Sequence, residues 1–327
     1  MLRISFHKRK LTMNHKIVLL VASLALSVAL SSTADAAESV VAAGAKVEKL
    51  AGGMKFTEGP VWLADKKKLI FSDIPNANLM QWSEKDGLSL FRKSENANGN
   101  ILDLQGRIIS CQHSARNIVR IEKDGSVKVL ADRFDGKRFN SPNDVAVRSD
   151  GTLWFTDPPW GLWGLNKPAE IPGHWVYKLD PATGKVKALV KDLAMPNGIV
   201  FSPDHTRVYI ADTGGHPKHP DPKLKKLPPS IRCYEVTAAG DLGKKLFEIA
   251  EGSDGMTVDV KGNIYATHKG KVYVFDAAGK ELEKIDVPEG PANVCFGGDD
   301  FKTLFITART SLYSVRLRFA GARNTQK

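Results

Sequence analysis

The sequence predicts an all-β fold, a six-bladed β-propeller whose ring is closed by a strand from the N-terminal side. Three observations predict it. After residue 36 no stretch carries sustained helical periodicity, and short runs of β-branched and aromatic residues recur between Gly, Asp, Asn and Pro. Six of these runs share one pattern: residues 68–72, 107–111, 152–156, 207–211, 263–267 and 303–307. Each is preceded by a strand-like segment that opens on a polar residue beside small or Pro neighbours. The repeat is irregular, roughly 40 to 57 residues, which suits propeller blades carrying loop insertions.

The N-terminal residues form a separate object. Arg3, Lys8, Arg9, Lys10 and Lys16 precede an uncharged apolar run over residues 17–30, and Ala34, Asp35 and Ala36 follow it. That order is the pattern of a secretory signal peptide, and the run is short for a transmembrane helix. The alternative is an uncleaved anchor. The signal is assigned to residues 1–36, with Met13 an alternative start and a mature chain beginning near Ala37 in the periplasm or outside the cell. Residues 37–327 are then one propeller domain, since no linker divides the repeats.

The strand-like residues 46–51 have no partner of their own, and the sixth repeat ends one strand short, after residue 317. A propeller ring must close to avoid open edges. The N-terminal strand is therefore expected to complete the sixth blade.

The 327-residue chain is 42% hydrophobic and 25% charged, as a soluble globular protein with a sizeable core would be. Its net charge is +11, of which the signal contributes +4, leaving a diffuse +7. The densest basic stretch, residues 218–226, lacks interleaved aromatics and any groove-reading element, so it reads as a solvated Pro/Lys loop and no nucleic-acid partner is expected. No membrane association is expected once the signal is removed. Cys111, Cys233 and Cys295 lie far apart without zinc-type spacing, and at most one disulfide is available to them. Buried free thiols are the expectation.

The first strand of each blade lines the propeller axis, so equivalent residues of the six repeats converge. Here they are Glu58, Asn98, Asn143, Asn197, Asp254 and Asn293. Singly, such residues also open strands as turn formers. Six in register form an oxygen-donor ring with two carboxylates and no His or Cys, which suits a hard cation, Ca²⁺ before Zn²⁺.

Residues 140–161 (NSPNDVAVRSDGTLWFTDPPWG), Glu58-Gly-Pro-Val-Trp62, Met195-Pro-Asn-Gly198 and Asp254-Gly-Met256 resemble the gluconolactonase and regucalcin (senescence marker protein) family of six-bladed propellers. The resemblance spans nearly the whole mature chain. It implies one catalytic divalent cation held by Glu58, Asn197 and Asp254, with Asn143 a ligand or close neighbour. Ca²⁺ is the first choice, and Mn²⁺, Mg²⁺ or Zn²⁺ are alternatives. It further implies a small-molecule lactone substrate, whose carbonyl the cation polarises, and Asp254 as general base toward the attacking water. Regucalcin-like members carry Arg where Ser141 stands here, and Arg138 is a candidate substitute.

Asn98 and His113 are expected to contact substrate, with a hydrogen-bonded structural role the alternative for His113. Asp73, Asp157 and Asp212 each end a second strand, a recurrence that points to turn capping. Alternation places Asp144 on the opposite face from Asn143 unless a bulge intervenes. Trp160 and Trp163 either roof the pocket or cover blade edges, and His268 has no assigned role. The competing functions are a phosphotriester or other ester hydrolase on the same ion site, and a periplasmic binding scaffold with a structural ion. Strictosidine-synthase-like condensation fits less well, because Glu and Asp ligands are the hydrolase pattern.

Overall fold

The computed structural model describes residues 39–323. The predicted signal peptide falls outside these residues. Six four-stranded antiparallel sheets follow one another along the chain. Their innermost strands are Thr57–Leu63, Ala97–Leu102, Val145–Val147, Pro196–Phe201, Met256–Val258 and Pro291–Gly297. Each sheet is a blade of the expected propeller.

The sixth blade supplies only three strands of its own. Its fourth and outermost is Glu48–Gly52, which pairs antiparallel with Ser311–Arg316 through Glu48 opposite Ser314 and Gly52 opposite Ser311. The preceding segment extends the closure: Ala42 N–H donates to the Arg316 carbonyl, and Arg318 N–H donates to that of Val40. Val40 itself is buried among blade 5 and blade 6 residues.

Hydrophobic side chains fill every junction between neighbouring blades. The seam joining blade 6 back to blade 1 holds Met54, Trp62, Leu69, Phe71, Phe305 and Leu312. Trp62 stacks on Phe305 with centroids 5.3 Å apart. The three cysteines are free thiols, so apolar packing and backbone pairing hold the ring. Among the described residues no helix is long and apolar enough to cross a membrane.

Two devices anchor the inner strands, the first in blades 1, 3 and 4. Asp73 accepts the N–H groups of Lys55 and Phe56, Asp157 those of Asn140 and Ser141, and Asp212 those of Ala194 and Met195. The capping expected of these aspartates is what the structure shows. The residue before each carries the second device in blades 1 and 3, and Thr267 occupies the same place in blade 5. Ser72 Oγ donates to the Asn98 carbonyl, Thr156 Oγ1 to that of Asn197, and Thr267 Oγ1 to that of Ala292. Each hydroxyl thus ties its blade to the next.

The N-terminal closure yields a stability test. Removing residues 37–52 exposes the Ser311–Arg316 edge and part of the blade 1–blade 6 seam. The melting temperature should fall on the order of 10 °C, with increased aggregation. An unchanged melting temperature would count against closure by this strand.

Candidate active site

At one end of the propeller axis lies a cavity of about 540 Å³ whose lining includes Glu58, Asn98, Asn143, Asn197 and Asp254. Five of the six residues expected to converge do so. The sixth, Asn293, faces a separate cavity of about 380 Å³ further along the axis. It still serves the ring, because its Nδ2 donates to Glu58 Oε2 at 3.1 Å.

A break in the strand ladder aims these side chains. In blades 1, 2, 4 and 6 the pairing of inner and second strands is interrupted just beyond the start, as between Glu58 and Val61 or Pro196 and Ile199. In blades 3 and 5 regular pairing begins only at Val145 and Met256. Such bulges turn consecutive residues out of strict alternation. Asp144 shows the effect. It leaves the side of Asn143, as alternation requires, but it enters the second axial cavity. There it accepts the N–H of Val145 at 2.9 Å.

Backbones of adjacent blades meet at the same level. Gly99 N–H donates to the Asn143 carbonyl at 2.8 Å, Gly198 to Asp254 at 2.7 Å, and Gly255 to Ala292 at 2.7 Å. A Cβ on Gly198 would lie 2.4 Å from the Asp254 carbonyl oxygen, and one on Gly255 would lie 2.0 Å from Asn293 Cγ. Glycine after a polar residue is thus required here by close approach. This inter-blade contact, with the Ser and Thr hydroxyls behind it, was not anticipated from sequence. Its signal is the repeated Gly after Glu58, Asn98, Asn197 and Asp254.

Glu58 is buried and Asp254 half-buried, and neither has a Lys or Arg ion-pair partner among the described residues. Burial pushes the Glu58 carboxyl well above its ordinary value, and the charges of Asp254 and Asp144 push it further. The N–H of Gly59 and the amide of Asn293 offset part of this. Burial also raises Asp254, to about 6, against the lowering effect of Asn197, Glu58 and the more distant Arg309. Asn197 Nδ2 donates to Asp254 Oδ1 at 2.7 Å. Two desolvated carboxylates without a counter-charge fit a bound divalent cation, with amide oxygens of Asn143 and Asn197 available beside them. No group of three or more His, Cys, Asp or Glu converges as a metal cluster among the described residues. The donor set is therefore two carboxylates plus amides, poor in the soft ligands zinc favours.

His113 lines the cavity next to Asn98, with Nε2 3.2 Å from Asn98 Nδ2. Burial lowers its pKa to about 4, so the ring is neutral. An amide nitrogen only donates, so Nε2 accepts and the ring proton sits on Nδ1. His268 also lines the cavity, its Nε2 3.2 Å from Glu251 Oε2. Arg138 does not replace a cationic substrate contact. It lies outside the lining, its guanidinium donating to the Ala115 carbonyl and its backbone N–H to Glu170. Ser141 is turned to the insertion after the second strand of blade 3, whose Trp160 enters the cavity. Trp163 packs instead on His216.

An all-β ring with acidic and amide groups gathered in one axial pocket defines a propeller of the lactonase-like hydrolase class. Residues 56–310 match the SMP-30/Gluconolactonase/LRE-like region family, and the chain belongs to that family. A gluconolactonase of Zymomonas mobilis is 30% identical over 305 residues, covering 84% of this chain and 82% of its own length. The solved structure of a gluconolactonase from Xanthomonas campestris is 30% identical with a TM-score of 0.76, covering 85% of this chain and 91% of that one. A calcium-binding regucalcin from Agrobacterium tumefaciens shares the fold at 20% identity and a TM-score of 0.65, covering 83% of this chain and 95% of that one.

The electrostatics make a prediction for protein stripped of metal. Carboxyls with raised folded-state pKa values bind protons more tightly folded than unfolded, so their contribution is present at lower pH and is lost as pH rises through the folded values. Glu58 is raised, Asp254 stands at about 6, and Asp144 and Asp157 at about 7. The chelated protein should therefore melt several degrees higher at pH 6.5 than at pH 8. The window stops at 6.5 because the buried His113 and His174, both lowered to about 4, oppose the trend below that. Glu58→Gln should flatten the slope, and a melting temperature that rises toward pH 8 would contradict this charge balance.

Proposed function

We propose that the cavity is the active site of a lactone hydrolase that opens a cyclic ester with the aid of one divalent cation, Ca²⁺ in first place. The observation that carries the reading is the carboxylate pair of buried Glu58 and half-buried Asp254, gathered with Asn143 and Asn197 and lacking a basic ion-pair partner among the described residues. Support comes from the family, in which the Zymomonas and Xanthomonas relatives are gluconolactonases and a regucalcin of the same fold is calcium-binding. A binding scaffold would gain nothing from holding two repelling carboxylates in a pocket.

Glu58, Asn143, Asn197 and Asp254 would hold the cation. When bound, it supplies Lewis acidity toward the lactone carbonyl and stabilises negative charge on its oxygen. Asp254 takes a proton from the water that attacks the carbonyl carbon. It returns that proton to the ring oxygen as the acyl C–O bond breaks, releasing a hydroxy acid. In the metal-free pocket this carboxyl stands at about 6, raised by burial, so it is ionised at neutral pH. The Asn197 amide holds the Asp254 carboxylate in one orientation. Asn98 and the neutral His113 present polar groups to substrate, and the amide fixes the imidazole tautomer.

Asp254→Asn keeps the size of the side chain and one ligand oxygen but removes the base. It should lower lactonase kcat by roughly 10²- to 10⁴-fold without unfolding the protein. Glu58→Gln removes ligand charge and leaves the base, so raised Ca²⁺ should restore much of its activity by mass action. A calcium titration of the rate for wild type and both variants, with circular dichroism as folding control, separates the roles. Equal rescue would reduce Asp254 to a ligand, and full activity in Asp254→Asn would sink the mechanism.

A further inference from the structure

The wall of the cavity is apolar where the floor is polar. Phe56, Ile74, Trp160, Pro229 and Pro291 all line it. Trp160 differs from the others because an insertion brings it there. It opens the short helix Trp160–Leu165, which lies between the second and third strands of blade 3.

That helix is held from two sides. On the inner side Ser141 Oγ donates to the Pro158 carbonyl at 2.6 Å and accepts the Gly161 N–H at 2.9 Å. Gly161 packs so closely that a Cβ there would lie 2.7 Å from the Cβ atoms of both His113 and Ser141. On the outer side Trp163 packs on His216 in a tilted pair with centroids 4.4 Å apart, and Lys218 Nζ sits 5.5 Å from the Trp163 ring centre. His216 and Lys218 belong to the blade 4 insertion that begins at Thr213 and ends at Pro229, both of which line the cavity. The two insertions thus brace each other. Leu162, between the two tryptophans, is buried at 1% exposure.

We propose that Trp160 is the specificity-determining residue of this site, forming a subsite for an apolar substituent on the ring of the substrate. A half-buried indole carried on a helix braced from both sides offers an apolar face on a fixed backbone, which favours apolar contact. Charged recognition is not what this wall offers. Arg138 is engaged outside the cavity, and the lining Lys269 is exposed with its Nζ 3.4 Å from Glu251. The proposal rests on the lactonase reading for the ring chemistry, but the subsite itself is independent of turnover.

Binding is therefore measured with cyclic amides that the enzyme does not open. Calorimetry compares δ-valerolactam with its 6-pentyl derivative on wild type, Trp160→Ala and Trp160→Gln, with circular dichroism as control. Each methylene buried is worth roughly a factor of four, so a partly covered pentyl chain should bind wild type on the order of 30-fold more tightly than the bare ring. The preference should fall to under about 3-fold in both variants, with affinity for the bare lactam unchanged. Trp160→Gln keeps bulk while removing the apolar face, so it serves if the alanine variant is unstable. Equal affinity of the two lactams for wild type, or a preference that survives both substitutions, would overturn the proposal. So would a common loss on both lactams. Rates on the corresponding lactones report the reaction separately: lactam preference without turnover leaves the subsite standing and removes the lactonase reading.

Discussion

Glu58 and Asp254 come from the first and fifth blades and meet in one pocket, where burial and the charge of Asp254 both raise the cost of ionising Glu58. Repulsion of this kind would push ordinary loops apart. Here the ring resists it, because each inner strand is fixed at its start by several backbone bonds. The aspartates that end the second strands, the Ser and Thr hydroxyls beside them, and the glycine contacts between blades all act at the level of the two carboxylates. Opening the pocket would break those bonds together. Closure by Glu48–Gly52 completes the restraint by denying the ring a free end.

The same arrangement separates roles among chemically similar groups. Asp73, Asp157 and Asp212 are more deeply buried than Asp254, and at least two backbone N–H groups occupy each of them. Asp254 accepts from a side-chain amide and faces the cavity. Asp144 lies one residue from Asn143 but serves the next cavity along the axis. Position relative to the bulge, more than residue type, decides which carboxylate is free for chemistry.

Much of this was legible in the sequence because repetition makes it so. Six second strands and six polar openings gave the blade count, and a sixth blade lacking a strand pointed to the N-terminal segment. The recurring aspartates read correctly as caps, since three in the same register could not all be catalytic. Reasoning by alternation was weaker. It assumes an unbroken ladder, while the bulges shift Asn293 out of the pocket and send Asp144 into the axial channel. The insertions were least legible. Where Trp160 sits depends on Ser141, Gly161 and His216, and where Arg138 points on Ala115 and Glu170, contacts far apart in sequence and without a repeat to average over.

The central claim is that this pocket holds its carboxylates for a divalent cation. Calorimetric titration of Ca²⁺ into chelator-treated protein at pH 6.5, repeated in buffers of different ionisation enthalpy, counts both the ions bound and the protons displaced. The account predicts one saturable site and release of about one proton per ion, because the raised carboxyls are partly protonated before binding. Absence of saturable binding, or binding with no proton release that persists in Glu58→Gln, would contradict it.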